Sequence, residues 1–241
     1  MRLTIHRGTH QIGGNCVEIA TATTRLILDV GLPLEDLAQP SLAGRRPRVD
    51  VMVSGVFAQA PPVSAVLLSH AHADHTGLLD LVPPSIPVYL SKGTSKMMLA
   101  GALYAGQVRL QRERERILEP RVPMVIGDIT VTAYPVDHSA FDSQSFLIEA
   151  EGKRLLYSGD LRMHGRKPGM AKALIEAMSG KVVDALLMEG THFSGNREVG
   201  PTEAELEELI LPDLRSAPGL VLACFSPMHV DRLVTFYKAN R

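Results

Sequence analysis

The feature that most constrains this chain is residues 65–79, with the sequence AVLLSHAHADHTGLL. An apolar run of strand length is followed by three histidines and an aspartate, then by a glycine and renewed apolar sequence. This pattern predicts a buried strand that ends in a polar loop at the start of a helix. Because side chains alternate along an extended segment, His70 and His72 are expected to point one way, with Asp74 and His75 facing a second point nearby.

The chemistry of this cluster favours metal binding. Three imidazoles and a carboxylate crowded at the end of an apolar strand would each need a polar partner in a packed core, whereas a divalent cation satisfies all of them. The alternative, a solvated histidine-rich loop, does not explain why the cluster follows a hydrophobic strand. The sequence therefore predicts a loop that two metal ions share.

Three segments resemble a known family. HAHADH matches the HxHxDH signature of the metallo-β-lactamase fold superfamily, and its context LLSHAHADHTG resembles the β-CASP nuclease branch that includes ribonuclease J. VDHSAFDSQSFLIE resembles the HSxxDS segment of ribonuclease J-like enzymes, and YSGD resembles their GD motif. The resemblance implies the α/β (α+β) class and a four-layer αββα sandwich, with the metals at one edge of its two sheets.

The resemblance also implies two divalent metal ions as cofactors, zinc in the first place and manganese as the alternative. Three histidines would hold the first ion, and Asp74, His75 and Asp160 would hold the second, with Asp160 bridging the two. The implied metal ligands are His70, His72, Asp74, His75, His138 and Asp160.

Four side chains have further roles under the same resemblance. Asp74 would be the catalytic residue, which orients the attacking hydroxide or takes its proton. Asp29 would support the metal loop through hydrogen bonds, and the disfavoured alternative is an aspartate that only satisfies a turn. Glu189, in an E-x-T element, would hydrogen-bond a ligand histidine, and Ser139 would contact phosphate or simply form a turn.

The function implied is a metal-dependent hydrolase that cleaves phosphodiester bonds of nucleic acid, RNA rather than DNA, by two-metal hydroxide attack. The pattern does not separate exonuclease from endonuclease. One alternative is a glyoxalase II-like hydrolase of a small thioester or lactone, because the metal loop is common to both. Another is a non-enzymatic scaffold, which the intact ligand set disfavours. With a net charge of −1, the chain would need a local basic surface to bind RNA.

Composition bounds the rest. The 241 residues are 45% hydrophobic and 21% charged, which suits one large α/β domain. The longest apolar runs are strand-sized and no secretory leader is recognisable, so we expect a cytoplasmic protein with no membrane partner. The oligomeric state is not predicted.

Domain organisation is predicted from the C-terminal residues. A strand at 220–225 and an amphipathic helix at 228–238 resemble the segment that leads into a β-CASP cap. We therefore expect a catalytic domain at 1–219 and, at 220–241, the start of a cap that is truncated or absent. His229, in this segment, is considered as a substitute ligand and disfavoured. Residues 94–118 are predicted as one helix with mixed charges on its exposed end.

Overall fold

The computed structural model describes residues 1–37, 53–59, 62–191 and 200–241. Within these ranges the chain forms two β-sheets with helices on their outer faces. The strands are β1 (Arg2–Arg7), β2 (Cys16–Ala20), β3 (Arg25–Leu28), β4 (Ala65–Leu67), β5 (Val88–Leu90), β6 (Glu115–Ile117), β7 (Pro123–Ile126), β8 (Ile129–Pro135), β9 (Gln144–Ala150), β10 (Lys153–Tyr157) and β11 (Ala185–Leu187). The helices are α1 (Leu34–Leu37), α2 (Ala73–Thr76), α3 (Lys92–Tyr104), α4 (Gly169–Met178), α5 (Glu203–Ser216) and α6 (Val230–Ala239).

The first sheet has the strand order β1-β2-β3-β4-β5-β6. Strands β1 to β3 are antiparallel, whereas β3 to β6 run parallel, with Leu28 opposite Leu67 in the β3–β4 pair. Parallel neighbours end at the same edge of a sheet. The residues that follow β3 and β4, Asp29 and Ser69 among them, are therefore brought together.

The second sheet has the order β11-β10-β9-β8-β7, antiparallel except for the parallel β10–β11 pair. Strands β8 and β10 flank β9 and both run antiparallel to it, so they point the same way. Their carboxyl ends reach the edge where β4 of the first sheet ends. His138 follows β8 and Asp160 follows β10 at that edge.

Hydrophobic side chains divide the molecule into layers. Between the sheets, Leu28 and Leu67 of one sheet pack in the same cluster as Phe146 and Ile148 of the other, and all four are almost fully buried. A second cluster, which includes Met98 of α3, covers the outer face of the first sheet. A third, with Leu174 of α4, covers the outer face of the second sheet. The predicted αββα sandwich is confirmed.

The predicted helix at 94–118 is wrong beyond its first half. Helix α3 ends at Tyr104, and Glu115–Ile117 forms β6, which pairs in parallel with β5. The Arg114 guanidinium is buried and its Nε donates to Ile86 O at 3.1 Å, which anchors the start of this strand. Tertiary pairing thus overrides the local helical pattern, as it commonly does.

The C-terminal prediction is half right. Helix α6 forms at Val230–Ala239, but residues 220–225 form no strand, because no backbone partner among the described residues pairs with them. Leu220 and Leu222 are 89% and 86% exposed. The Phe225 and Phe236 rings stack on each other with centroids 5.4 Å apart. Before residues 220–225, Glu203–Ser216 forms α5, whose Thr202 and Glu205 make a capping box.

No helix in the described parts of the chain has the length and apolar character needed to cross a membrane. The neighbouring arginines Arg45, Arg46 and Arg48 lie outside the described residues, and so does His192.

Candidate metal centre

The six predicted ligand side chains lie at the edge where β4, β8 and β10 end. β4 leads directly into the segment that carries His70 and His72, and the short helix α2 carries Asp74 and His75. The first sheet thus supplies four of the six side chains and the second sheet supplies two. Neither sheet alone can build the site.

Three histidines form the first group. The Nδ1 atom of His72 lies 3.1 Å from Nε2 of His70 and 3.2 Å from Nε2 of His138. Zinc–nitrogen bonds of about 2.0–2.1 Å in a tetrahedral site put neighbouring ligand nitrogens about 3.3 Å apart. The observed separations match that geometry, so these residues fit a bound zinc-like ion.

The protonation of this group suits metal binding. Burial, reinforced by the neighbouring histidines, lowers the pKa of His70 well below its usual value, that of His72 to about 4 and that of His138 to about 3. All three rings are therefore neutral near pH 7. Ser69 Oγ donates to Asp29, so it accepts from Nδ1 of His70 at 3.0 Å. The His70 Nε2 lone pair is thus directed at the centre of the group.

A second group joins His70 with His75 and Asp160, each offering a ligand atom within 4.8 Å of the others. Asp160 reaches both groups, because its Oδ1 is 3.2 Å from Nε2 of His75 and its Oδ2 is 3.7 Å from Nε2 of His138. A carboxylate with one oxygen toward each group fits a bridging ligand. Asp74 lies beside the second group, with its Oδ2 3.8 Å from Nε2 of His75.

His75 and Asp160 form an ion pair. Burial opposes a charge on His75, but Asp29 and Asp160 outweigh it and raise the pKa of His75 well above its usual value. Burial likewise opposes a charge on Asp160, and the hydrogen bond and charge of His75 outweigh it and lower the pKa of Asp160. A divalent cation would take the place of the proton that these two side chains share.

Asp29 lies beneath both groups and accepts four hydrogen bonds. Its Oδ1 accepts from Ser69 N at 2.8 Å, and its Oδ2 accepts from Ser69 Oγ at 2.8 Å, His75 Nδ1 at 2.8 Å and Tyr157 Oη at 2.7 Å. One fully buried carboxylate therefore orients His75 directly and His70 through Ser69. Such outer hydrogen bonds fix the tautomer and direction of ligand histidines.

The metal loop is held against the turn at 29–31 and the loop at 13–15. The carbonyl oxygen of Asp74 accepts from the backbone N–H groups of Gly14 and Asn15, at 3.0 and 3.2 Å. A Cβ at Gly31 would lie only 1.6 Å from that same oxygen, so this position has no room for a side chain. The GGN stretch at residues 13–15 therefore borders the metal loop.

An open cavity of about 820 Å³ gives access to the centre. Its walls include the loop at 8–13, several of the ligand side chains and residues 186–191. The Asp74 carboxyl lines this cavity, and burial raises its pKa. A carboxylate so placed can accept a proton from a reacting water.

Other predicted residues occupy different places. Glu189 accepts a hydrogen bond from Leu161 N at 2.6 Å, and within the described residues it bonds no histidine, so its contact with a ligand histidine is not found. It holds the segment after Asp160 instead. Ser139 borders a small pocket beside the three-histidine group, and its phosphate contact stays a prediction. His229 accepts from Arg162 Nη1 at 2.7 Å and belongs to neither ligand group.

Three residues that touch the site were missed from the sequence. Ser69 and Tyr157 bond Asp29, and the Asn15 amide lies 3.1 Å from Nε2 and 3.4 Å from Nδ1 of His75. Similar distances to both ring nitrogens place the amide over the ring face. Ser69 directly precedes a ligand and Tyr157 lies three residues before one, and that proximity was the available signal.

Comparison with known proteins identifies the family. Residues 29–223 match the family model described as Beta-lactamase superfamily domain. A solved structure of a protein of unknown function from Enterococcus faecalis shares the fold, with a TM-score of 0.80 at 24% identity over 98% of this chain and 62% of that one.

Curated relatives point to one branch. An RNase J-like protein of Methanocaldococcus jannaschii is 27% identical over 88% of this chain and 47% of its own length. A ribonuclease J of Mycobacterium tuberculosis is 27% identical over 97% of this chain and 41% of its own length. A transcription termination factor FttA of Cenarchaeum symbiosum is 25% identical over 89% and 35%. The chain thus spans less than half the length of each of these relatives. It belongs to the beta-lactamase superfamily domain family, in which it resembles the β-CASP, ribonuclease J-like branch.

Proposed function

We propose that this chain carries the hydrolytic centre of a nuclease that cleaves phosphodiester bonds of RNA with two divalent metal ions, zinc being the first choice. The observation that carries the proposal is the pair of adjoining ligand groups, with Asp160 reaching both. The relatives named ribonuclease J and RNase J-like support nucleic acid as the substrate.

The roles of the side chains follow from their positions. His70, His72 and His138 would hold one ion, and His75, Asp160 and Asp74 the other. Bound ions of this kind would polarise a phosphoryl oxygen and lower the pKa of water near them.

Asp74 would act as the proton acceptor. Its carboxyl lines the cavity 3.8 Å from His75 Nε2, and burial raises its pKa, so it holds a proton more readily than an exposed aspartate. A base that retains its proton long enough to pass it on suits hydrolysis, in which the leaving oxygen must be protonated. Ser139, beside His138, is the proposed phosphate contact.

The cavity fits an extended substrate. The cavity of about 820 Å³ is partly open to solvent, so a polymer bound at the ligand side chains can extend out of it. One wall of the cavity is formed by the loop at 8–13.

The test combines metal analysis with cleavage. Protein purified without chelator is analysed for bound metal, then incubated with 5′-labelled single-stranded RNA, the DNA of the same sequence and a generic thioester, with added Zn²⁺ or Mn²⁺. We expect metal-dependent cleavage of RNA that Asp160→Asn abolishes. His164→Ala is the matched control, because His164 lies on the same loop outside the ligand groups and should retain activity. Hydrolysis of the thioester alone would contradict the proposal.

A further inference from the structure

Arg162 lies two residues after Asp160 and makes three side-chain hydrogen bonds. Its Nε donates to Asp137 Oδ1 at 3.2 Å, its Nη1 to His229 Nε2 at 2.7 Å and its Nη2 to Asp231 Oδ2 at 2.5 Å. The side chain is only 9% exposed. One nearly buried guanidinium thus links the two loops that carry His138 and Asp160 to the start of α6.

Asp137 accepts three hydrogen bonds from the loop at 162–167. Besides Arg162 Nε, the backbone N–H of Lys167 donates to Asp137 Oδ2 at 2.7 Å, and the backbone N–H of Arg162 donates to Asp137 O at 2.7 Å. A Cβ at Gly165 would lie 2.2 Å from Asp137 Oδ1, so the loop at 162–167 closes directly over this carboxylate. Asp137 is the residue immediately before His138.

The C-terminal side of the contact is equally well anchored. His229 pairs with Ala140 in an isolated antiparallel bridge, which places the residues before α6 directly on the His138 loop. Glu203, at the start of α5, accepts from Arg232 at 2.9 Å and from Thr235 at 2.7 Å. These bonds fix α6 to α5. The α6 residue that Arg162 bonds, Asp231, is therefore held in place.

We propose that Arg162 is a positioning residue that holds the His138 loop, through Asp137, against the fixed start of α6. The proposal rests on the proposed function in one respect, that the three-histidine group holds a metal ion. Nothing in the resemblance assigns Arg162 or Asp137 a part in the site.

The electrostatics explain why a cation is needed here. Asp137 and Asp231 both face the Arg162 guanidinium, and Asp137 is 2% exposed. Without the guanidinium, the two poorly solvated carboxylates would lose the cation that lies between them and offsets their repulsion. This repulsion favours separation of the His138 loop from the start of α6. His138 would then lose its fixed distance from His72, and a metal site that loses the support of a ligand binds its ion about 10–100-fold more weakly.

The test compares Arg162→Met with Arg166→Met. Arg166 belongs to the same ionic cluster, where it bonds Glu207, Thr235 and the Asp231 backbone, but none of its side-chain bonds in the described residues reaches Asp137. Both variants weaken the docking of α6. Only Arg162→Met should release the His138 loop.

Two readouts separate positioning from general stability. Hydrogen–deuterium exchange on metal-stripped protein should be faster at residues 137–143 in Arg162→Met and unchanged there in Arg166→Met. Titration with Co²⁺, followed by its visible absorption, should give a Kd at least about tenfold higher for Arg162→Met and a Kd within about twofold of wild type for Arg166→Met. Arg162→Lys keeps a cation beside Asp137 and should restore part of both signals.

The outcomes are distinct. Equal exchange and equal Co²⁺ affinity in the two methionine variants would overturn the proposal while leaving the proposed function intact. If wild-type protein binds no Co²⁺, the proposed function fails, and exchange at 137–143 alone decides whether Arg162 holds the loop. If Arg162→Met does not fold, the same comparison is made with Arg162→Gln, which also removes the cation beside Asp137, and exchange at 137–143 and Co²⁺ affinity equal to those of wild type would overturn the proposal.

Discussion

Replacing Asp29 by asparagine tests the hydrogen bonds beneath the metal centre. Asp29 is fully buried, and asparagine has nearly the same shape and tolerates its left-handed backbone, with φ of 58°. The carboxylate accepts from four donors, whereas an amide has a single acceptor oxygen. Losing a hydrogen bond to a charged group costs about 1.5–3 kcal/mol, and a buried donor left unpaired costs about 1–3 kcal/mol.

We therefore expect Asp29→Asn to lower the free energy of unfolding of the metal-free protein by about 3 kcal/mol, measured by urea denaturation. Metal affinity should fall as well. An amide N–H facing Nδ1 of His75 favours the tautomer with the proton on Nε2, the atom that faces Asp160. Calorimetric titration with Zn²⁺ should show one of two sites weakened about 10–100-fold.

Asp80→Asn is the matched control, since Asp80 is exposed. It makes the same chemical change without touching the buried network, and both measurements should match those of wild type. A loss of less than about 0.5 kcal/mol in Asp29→Asn, which is typical of a surface substitution, would refute the reasoning. So would two Zn²⁺ sites of unchanged affinity.

Three further predictions concern metal, acid and packing. Chelation with EDTA should lower the melting temperature, because an ion present at 100 times its Kd adds about 2.7 kcal/mol to the folded state; identical calorimetric scans would count against a metal site. The hydrogen bonds from Arg25 lower the pKa of Glu18 from 4.5 to about 2, so their stabilisation is present above pH 4.5 and is lost as the pH falls toward 2. Glu18→Gln should therefore reduce the free energy of unfolding at pH 7 by about 1–2 kcal/mol after allowance for screening. Plots of unfolding free energy against pH for the two proteins should converge near pH 2, and a constant difference between them would disprove the prediction. Gly165→Ala should destabilise the fold by about 1–3 kcal/mol through its clash with Asp137, whereas Gly169→Ala, which has open space around it, should not; similar melting temperatures for both variants would show that the loop yields.

Part of the fold followed from short-range patterns. The apolar run before HAHADH located β4, and the HAHADH segment located the ligand loop, because both signals lie within a few adjacent residues. The resemblance then gave the αββα layers. The helix predicted at 94–118 was wrong in its second half because β6 depends on pairing with β5, a strand more than twenty residues earlier. A local sequence pattern does not report such a pairing.

The candidate site likewise divides into residues that a local motif predicts and residues whose role depends on distant contacts. His70, His72, His138 and Asp160 were predicted as ligands because each belongs to a motif, and the structure brings their side chains together. Ser69 and Tyr157 were missed because their roles depend on Asp29, which is 128 positions away from Tyr157 in sequence. The Glu189 contact was misplaced because the motif specifies a carboxylate but not which backbone N–H it meets.

The domain division at 219 and 220 stays a prediction. His229 and Asp231 lie beyond that boundary, yet both bond Arg162, which belongs to the metal edge of the sandwich. A cap that follows α6 would therefore be joined to the centre through the same guanidinium. Activity should therefore be measured on protein in which the bonds from Arg162 to His229 and Asp231 are intact.

The contact at Gly31 has a consequence for protein engineering. The histidine loop cannot be transplanted into another scaffold as a sequence of a dozen residues, because its Asp74 carbonyl occupies the space where any side chain at position 31 would lie. The unit that can be moved includes the turn at 29–31 and the GGN loop whose N–H groups bind that same carbonyl. Three segments far apart in sequence thus have to change together, so recombination between related chains should preserve function only when its crossovers keep all three from one parent.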